Sequence, residues 1–398
     1  MSSATFAQDA RGGGVGGNAR PDYDPVGVRV GSFLLFPSVE LGVGYDDNIG
    51  RASTNQTESV GFTISPELQL RSQWGQHELN LSAQSQSNLY AEDSDLNYTD
   101  YSVGVDGRLD VSSSTNIEAE ASYSELNEEL GTVTAPTGAA DPVEYTSWDV
   151  GVQLNQRFNR LTGELEGTYG ELDYDDVSNL VGGIIDNDIR DRATAEVRLR
   201  LGYDVNPGVN LFVEGAVNEV DYDQAPPVVA VNRDSDGYRV GAGATFELTT
   251  LITGEIVVGY LEQSYDSAAL ADVSGLAADV DVAWYVTPLT TVSLGAGSEV
   301  QQSDTTGSGG FVSQYVELGV DHELLRNVIL SADGSFTNNS FEGIAREDDV
   351  VSFAVAAEYL INRNMSLKAR YSYEERDSNV AGRDYDRNRI GLILRLQM

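Results

Sequence analysis

The chain has 398 residues, 63 acidic against 24 basic side chains for a net charge of −39, 40% apolar residues and no cysteine. That charge leaves no basic face for phosphates and excludes a nucleic-acid partner; without cysteine there is neither a disulfide framework nor a thiolate metal site. No run of about 18 apolar residues occurs, so no membrane-spanning helix is expected, although a membrane-spanning barrel, diluted by its lumen-facing positions, would read this way.

Residues 1–25 are poor in apolar side chains and carry a Gly-rich patch, Gly12 to Gly17. Ala4-Thr5-Phe6-Ala7 before Gln8 has the small-residue pattern of a secretory cleavage site, without the charged and apolar regions that precede one. Two readings stand, a signal-peptide remnant or a flexible N-terminal tail.

Alternation begins at Phe33 and defines the second segment, 26–398. Leu35, Val39, Leu41, Val43 and Tyr45 share one face of the first strand, with Phe36, Ser38, Glu40, Gly42 and Gly44 on the other. The next two strands form a hairpin about Gly75-Gln76, with Phe62, Ile64, Leu68, Leu70, Leu79, Leu81 and Leu89 on one side and mostly Glu, Gln, Asn and Ser opposite. The pattern recurs to the terminal strand, where Ile390, Leu392, Leu394, Leu396 and Met398 line one face and Arg389, Gly391, Ile393, Arg395 and Gln397 the other. So clean an apolar face suits lipid on one side and water on the other. Eighteen such strands can be read, the register being least secure at Val273–Val286. Short connections, such as Asn159-Arg160, Asn206-Pro207-Gly208 and Arg326-Asn327, alternate with long polar ones, such as Asp46–Glu58, Asn127–Glu144 and Asp175–Arg190. Outward aromatics sort with them. Trp74, Phe158, Tyr203, Phe246, Trp284 and Tyr359 lie near short turns; Tyr45, Tyr123, Tyr169, Tyr260 and Tyr373 lie near long loops. Two girdles follow, one per membrane interface. The expected fold is all-β, a transmembrane antiparallel up-and-down barrel of about 18 strands, with both termini on the periplasmic side.

Motifs for chemistry are absent: no Gly-x-Ser-x-Gly, Walker loop or His-Glu-x-x-His occurs. Asp46-Asp47 lacks the spacing of a calcium loop, and the two histidines, His77 and His322, show no nucleophile or acid partner in the pattern. Neither an enzyme, a metal nor a cofactor is expected. The candidate functional residues are the lumen-facing charges: Glu40, Glu67, Glu118, Glu120, Glu164, Glu166, Glu196, Glu214, Glu247, Glu255, Glu299, Glu317 and Glu358, with Arg71, Arg108, Arg157, Arg192, Arg198, Arg200, Arg239, Lys368, Arg370, Arg389 and Arg395. Thirteen acids against eleven bases favour cross-strand pairing in a stiff wall. Acids concentrate in the long loops, Asp46, Asp47, Glu374 and Glu375 among them, so an acidic rim and a cation preference are expected. Inward aromatics are few: Phe36, Phe212, Tyr285 and Tyr315.

The opening strand, Gly31-Ser32-Phe33 through Pro37 to Tyr45-Asp46-Asp47-Asn48, resembles the start of a family of Gram-negative outer-membrane β-barrel porins, in which Gly-x-Phe-x-x-x-Pro ending in Tyr-Asp-Asp-Asn recurs. The terminal strand is similar to the C-terminal sorting signal of outer-membrane proteins, except that it ends in Met398 and not an aromatic residue. The resemblance implies outer-membrane location and recognition of the last strand by the barrel-assembly machinery. For a subset of the family it also implies exopolysaccharide export with periplasmic export components. The functions to weigh are export or passage of a hydrophilic polymer such as exopolysaccharide, a general cation-preferring diffusion porin, and a non-conducting structural or surface-interaction barrel.

Overall fold

The computed structural model describes residues 14–398; the cleavage-site-like segment at Ala4–Gln8 lies outside them. The main sheet holds nineteen strands, and all but the short Val28–Val30 form a closed ring of eighteen. Each ring strand pairs antiparallel with its sequence neighbour. Phe33–Asp46 meets Tyr385–Gln397 to close the circle. Closure removes the unpaired edges that an open sheet would expose to lipid.

Connections separate by length between the two ends. One end carries residues 73–77, 113–114, 159–160, 207–208, 249–251, 288–289, 326–327 and 363–364. The other carries 47–58, 91–97, 129–142, 175–191, 223–234, 266–272, 303–309, 342–346 and 379–384. The tight turns use local chemistry: in Pro207-Gly208 the glycine takes φ +87°, and a Cβ there would lie 2.8 Å from the Glu247 carbonyl. The doubtful segment falls in register as a ring strand, Val273–Thr287, with Ile252 opposite Trp284 and Val282 opposite Leu294.

The register sorts the faces as the alternation requires. Along Arg192–Asn206, Val197, Leu199 and Leu201 are 52, 46 and 53% exposed on the outside, whereas the side chains of Arg198 and Arg200 turn into ion pairs within. A continuous exposed apolar belt is the outer face of a membrane-spanning barrel. At the seam, Leu396, Leu394, Leu392 and Ile390 lie opposite Val39, Leu41, Val43 and Tyr45 on the outer face, and Arg395 opposite Glu40 within. Pro37 stands where the first strand changes partner, between the register with Val28–Val30 and that with the last strand; lacking an N–H, it fits a place where the ladder is interrupted. Its carbonyl accepts from the Met398 N–H at 3.2 Å.

The Tyr45-Asp46-Asp47-Asn48 motif locks that seam. Asp46 receives both Nε and Nη2 of Arg387, at 2.9 and 2.6 Å to Oδ2. Asp47 accepts from the backbone N and the side-chain Nδ2 of Asn388, at 2.7 and 2.8 Å. Asn48 donates to the Asp386 carbonyl at 2.9 Å. Both carboxylates are thereby occupied by the last strand, which accounts for their adjacency without a metal.

At the short-turn end, residues 14–24 fold against the inside of the wall. The Val15 N–H donates to Thr291 Oγ1 at 2.9 Å, and Asn18 Nδ2 to the Pro288 carbonyl at 2.8 Å. Arg20 pairs with Glu323 at 3.0 Å, both side chains buried.

Candidate functional site: the bore and its mouth

Much of the expected lumen wall is paired across strands. Arg198 bridges Glu164 and Glu166, at 3.1 and 2.5 Å. Arg200 bridges Glu214 and Glu255, both at 2.8 Å, and lies 4.1 Å above the Phe212 ring. Arg395 reaches Glu40 at 2.9 Å and Glu67 at 3.4 Å. Lys368 meets Glu358 at 3.9 Å, Arg108 meets Glu78 at 4.0 Å and Asp110 at 3.2 Å, and Arg157 pairs with Asp204. These contacts tie the wall laterally and hold long side chains against it.

The remaining candidates form no ion pair among the described residues. Arg71 lies over Phe36 and Arg192 over Tyr222. Arg239 keeps a buried Nε without a hydrogen-bond partner. Glu120 packs over Gly151, Glu317 over Gly295, and Glu299 accepts from Gln301 at 2.7 Å. Glu118 is opposite Arg108 in register and Glu196 opposite Asn218; Glu247 belongs to the short-turn end. Arg370 and Arg389 face a recess in the wall.

The feature that the sequence reading missed is the mouth. The 129–142 connection does not stand clear of the barrel; it reaches across the opening. The Val133 carbonyl accepts from Arg346 Nη2 at 3.0 Å, and Thr137 Oγ1 from Arg383 Nη2 at 2.8 Å. Thr115–Glu128 and Val143–Phe158, which carry this loop, are the fifth and sixth strands of the ring. Arg346 lies between the fifteenth and sixteenth, close to the opposite side. Glu129, at the loop's root, binds Arg51, Arg387 Nη1 at 3.3 Å and the Tyr98 hydroxyl at 2.5 Å. Arg51 also reaches Glu374 at 3.0 Å, and Arg190 reaches Glu128 at 2.8 Å. Within the loop, Ala135 and Ala139 are buried, the latter packed with Val143, Tyr174 and Val177.

Electrostatics at the mouth follow from this crowding. Burial alone would raise the Glu129 carboxyl, but Arg51 and Arg387 beside it bring it down to about 2. Burial, then the neighbouring Arg346 and Arg376, hold the Arg383 guanidinium below its ordinary value. The loop acids are therefore not a uniformly free rim. Asp46 and Glu374 are consumed by Arg387 and Arg51, and the cation preference argued from a count of acids loses part of its basis. Several arginines stack on inward aromatics near the loop end: Arg190 on Tyr174 at 3.9 Å, Arg346 on Phe341 at 4.0 Å and Arg376 on Tyr385 at 4.8 Å. The signal was present as arginines in otherwise acidic loops, and as inward parity carried to the last residues of each strand.

The two histidines have structural partners. His77 Nδ1 accepts from the Asp110 N–H at 3.2 Å, and His322 Nδ1 lies 2.9 Å from Thr290 Oγ1. Asp176, Asp186 and Asp188 bring carboxylate oxygens within 4.8 Å of one another on an exposed loop. Two of those carboxylates cap local turns through the Asn187 and Asp188 N–H groups.

A closed eighteen-strand ring with an apolar outside, a charge-laced bore and loops folded over one mouth defines an outer-membrane β-barrel channel of the porin type, not an enzyme. The chain belongs to the family described as "Putative beta-barrel porin 2", which matches residues 20–398. No curated protein matches it. Among solved structures it is similar to Pseudomonas aeruginosa OpdK with vanillate, at 13% identity, covering 92% of this chain and 99% of that one, with a TM-score of 0.44. It is also similar to Pseudomonas aeruginosa OccK2 (OpdF) in complex with glucuronate, at 12% identity, 92% and 98% coverage and a TM-score of 0.47. A third such structure is a BenF-like porin from Pseudomonas fluorescens Pf-5, at 13% identity, 92% and 99% coverage and a TM-score of 0.46.

Proposed function

We propose that the barrel passes small hydrophilic solutes through a bore narrowed by the 129–142 loop. The observation that carries this reading is the pair of contacts from Val133 and Thr137 to Arg346 and Arg383 across the mouth. A loop tied at its root and at its far side limits what can pass beside it. Export of a polymer such as exopolysaccharide would require those ties to break for as long as the polymer threads the mouth. A general cation-preferring porin fits no better, since arginines occupy the mouth together with the acids. The proposed orientation places the short turns and both termini in the periplasm and the long loops outside, the arrangement common to outer-membrane barrels. Lipid contacts the apolar belt, and the assembly machinery is proposed to engage the last strand; periplasmic export components would be needed only for the polymer reading.

Planar-bilayer recording tests the proposal. The full chain should give discrete conductance steps, and a variant with residues 131–141 replaced by a short Gly-Ser linker should give steps several-fold larger. Equal steps would show that the loop is not the constriction. Silence from both, with heat-modifiable folded barrels, would refute the channel and leave a structural barrel.

A further inference from the structure

The bore wall holds a recess of about 200 Å³ on the side of the last strands. Its shape follows from the register. Arg389 is level with Ser372, Ser372 with Ala354, Ala354 with Asp333, Asp333 with Gly319, and Gly319 with Ser293. One row higher, Ser352 and Ser335 are opposite each other and their hydroxyls are 2.7 Å apart. Small side chains on neighbouring strands leave a trough where large ones would fill the wall. Gly319 is required for it, since a Cβ there would meet Ser293 Oγ at 2.4 Å and Asp333 Oδ1 at 3.4 Å.

The charges around the trough are segregated. At one end stand Arg370 and Arg389, both exposed to the bore. Among the described residues neither of these two forms an ion pair, and both line the same recess. Of the carboxylates close by, Glu358 pairs with Lys368, and Glu374 pairs with Arg51 while also lining the recess beside Arg389. At the other end is Glu317, three strands from Arg370, or about 14 Å between backbones at roughly 4.8 Å per strand. The serine hydroxyls lie between.

We propose that this trough is a binding subsite for a small polyhydroxylated monocarboxylate, a sugar acid. The two guanidiniums take the carboxylate through charge-assisted hydrogen bonds. The serines and Glu317 take hydroxyls along the trough. Inorganic phosphate and sulfate fit less well: they carry more charge toward Glu317 and have no hydroxylated chain to fill the space. A neutral sugar leaves both arginines without a carboxylate. The subsite rests on the reading of the bore as a solute route, but it can be tested separately.

Isothermal titration of the full chain in detergent with gluconate should give saturable binding, with glucose and inorganic phosphate each at least ten-fold weaker. Arg370→Gln and Arg389→Gln should each weaken gluconate ten-fold or more. Ala354→Leu, which fills the trough without removing a charge, should do the same, and Arg160→Gln on a distant turn should not. Bilayer conductance of the same preparations reports folding and the channel independently. Normal conductance without saturable gluconate binding, or binding indifferent to Arg370→Gln and Ala354→Leu, overturns the subsite and leaves the channel. Phosphate binding as tight as gluconate also overturns it. Specific gluconate binding by a barrel that never conducts supports the subsite and overturns the channel.

Discussion

Replacing Glu129 by Gln isolates the root of the loop that crosses the mouth. The carboxylate binds Arg51, Arg387 and Tyr98, and its pKa falls from 4.5 to about 2 in spite of burial. A depression of that size corresponds to about 3 kcal/mol of favourable interaction with the ionised form. The side chain is only 24% exposed, so solvent screening takes little from this figure. Both arginines keep another acid, Glu374 for Arg51 and Asp46 for Arg387, so the barrel itself should survive. The loop, however, loses most of its root, and the ratio of released to seated loop should rise on the order of 100-fold, at about 1.4 kcal/mol per factor of ten. The absence of native cysteine makes this measurable. Ala135 is buried at 7% exposure; as Ala135→Cys it should react slowly with a membrane-impermeant maleimide, and on the order of 100-fold faster when Glu129→Gln is added. An unchanged labelling rate in a folded barrel would refute the view that Glu129 seats the loop.

Two further outcomes are expected. Val197→Arg, on the outer face, should cost about 2–4 kcal/mol in folding titrations into lipid vesicles, and Glu196→Gln, its neighbour on the lumen face, under about 1 kcal/mol; equal costs would mean that the faces are misassigned. The Glu129 anchor should also be insensitive to pH over the neutral range. Its folded pKa is depressed, so its stabilisation is fully present above the unfolded value of 4.5 and is lost as pH falls toward about 2. Ala135→Cys reactivity toward an acid-tolerant disulfide probe, taken relative to that of a cysteine on an exposed turn, should therefore stay constant from pH 8 to 5 and rise only below that; a relative rise between pH 8 and 6 would assign the latch to another group.

The barrel was legible because lipid imposes period two on every strand, and a one-residue error would turn Val197, Leu199 and Leu201 inward. The same parity put Arg198 and Glu166, and Arg395 and Glu40, on the lumen face, and the register then pairs them. It could not place the mouth. Loop residues have no period, and that Arg346 meets the Val133 carbonyl and Arg383 the Thr137 hydroxyl depends on how residues 129–142 cross the opening. Inward aromatics were undercounted for a related reason: Tyr174, Tyr222, Phe341 and Tyr385 occupy strand ends, beyond the stretch where outward apolar residues mark the face. Parity makes Arg370 and Arg389 lumen charges like the others; only the register reveals that the surrounding small residues leave them facing a recess.

The seam motif has a consequence for the order of assembly. Asp46 and its partner Arg387 are 341 positions apart, so Asp46 and Asp47 lack these partners until Tyr385–Gln397 closes the ring. The first strand finds its hairpin neighbour in Ser59–Ser72, but its other edge waits for Tyr385–Gln397. Arg387 precedes the outward run Ile390 to Leu396, so one short segment supplies both the last lipid-facing edge and the cation that neutralises the first strand's carboxylate. A prematurely terminated barrel would retain an uncompensated acid at its gap. A ring that lacks its final strand therefore differs from a closed one in charge as well as in shape.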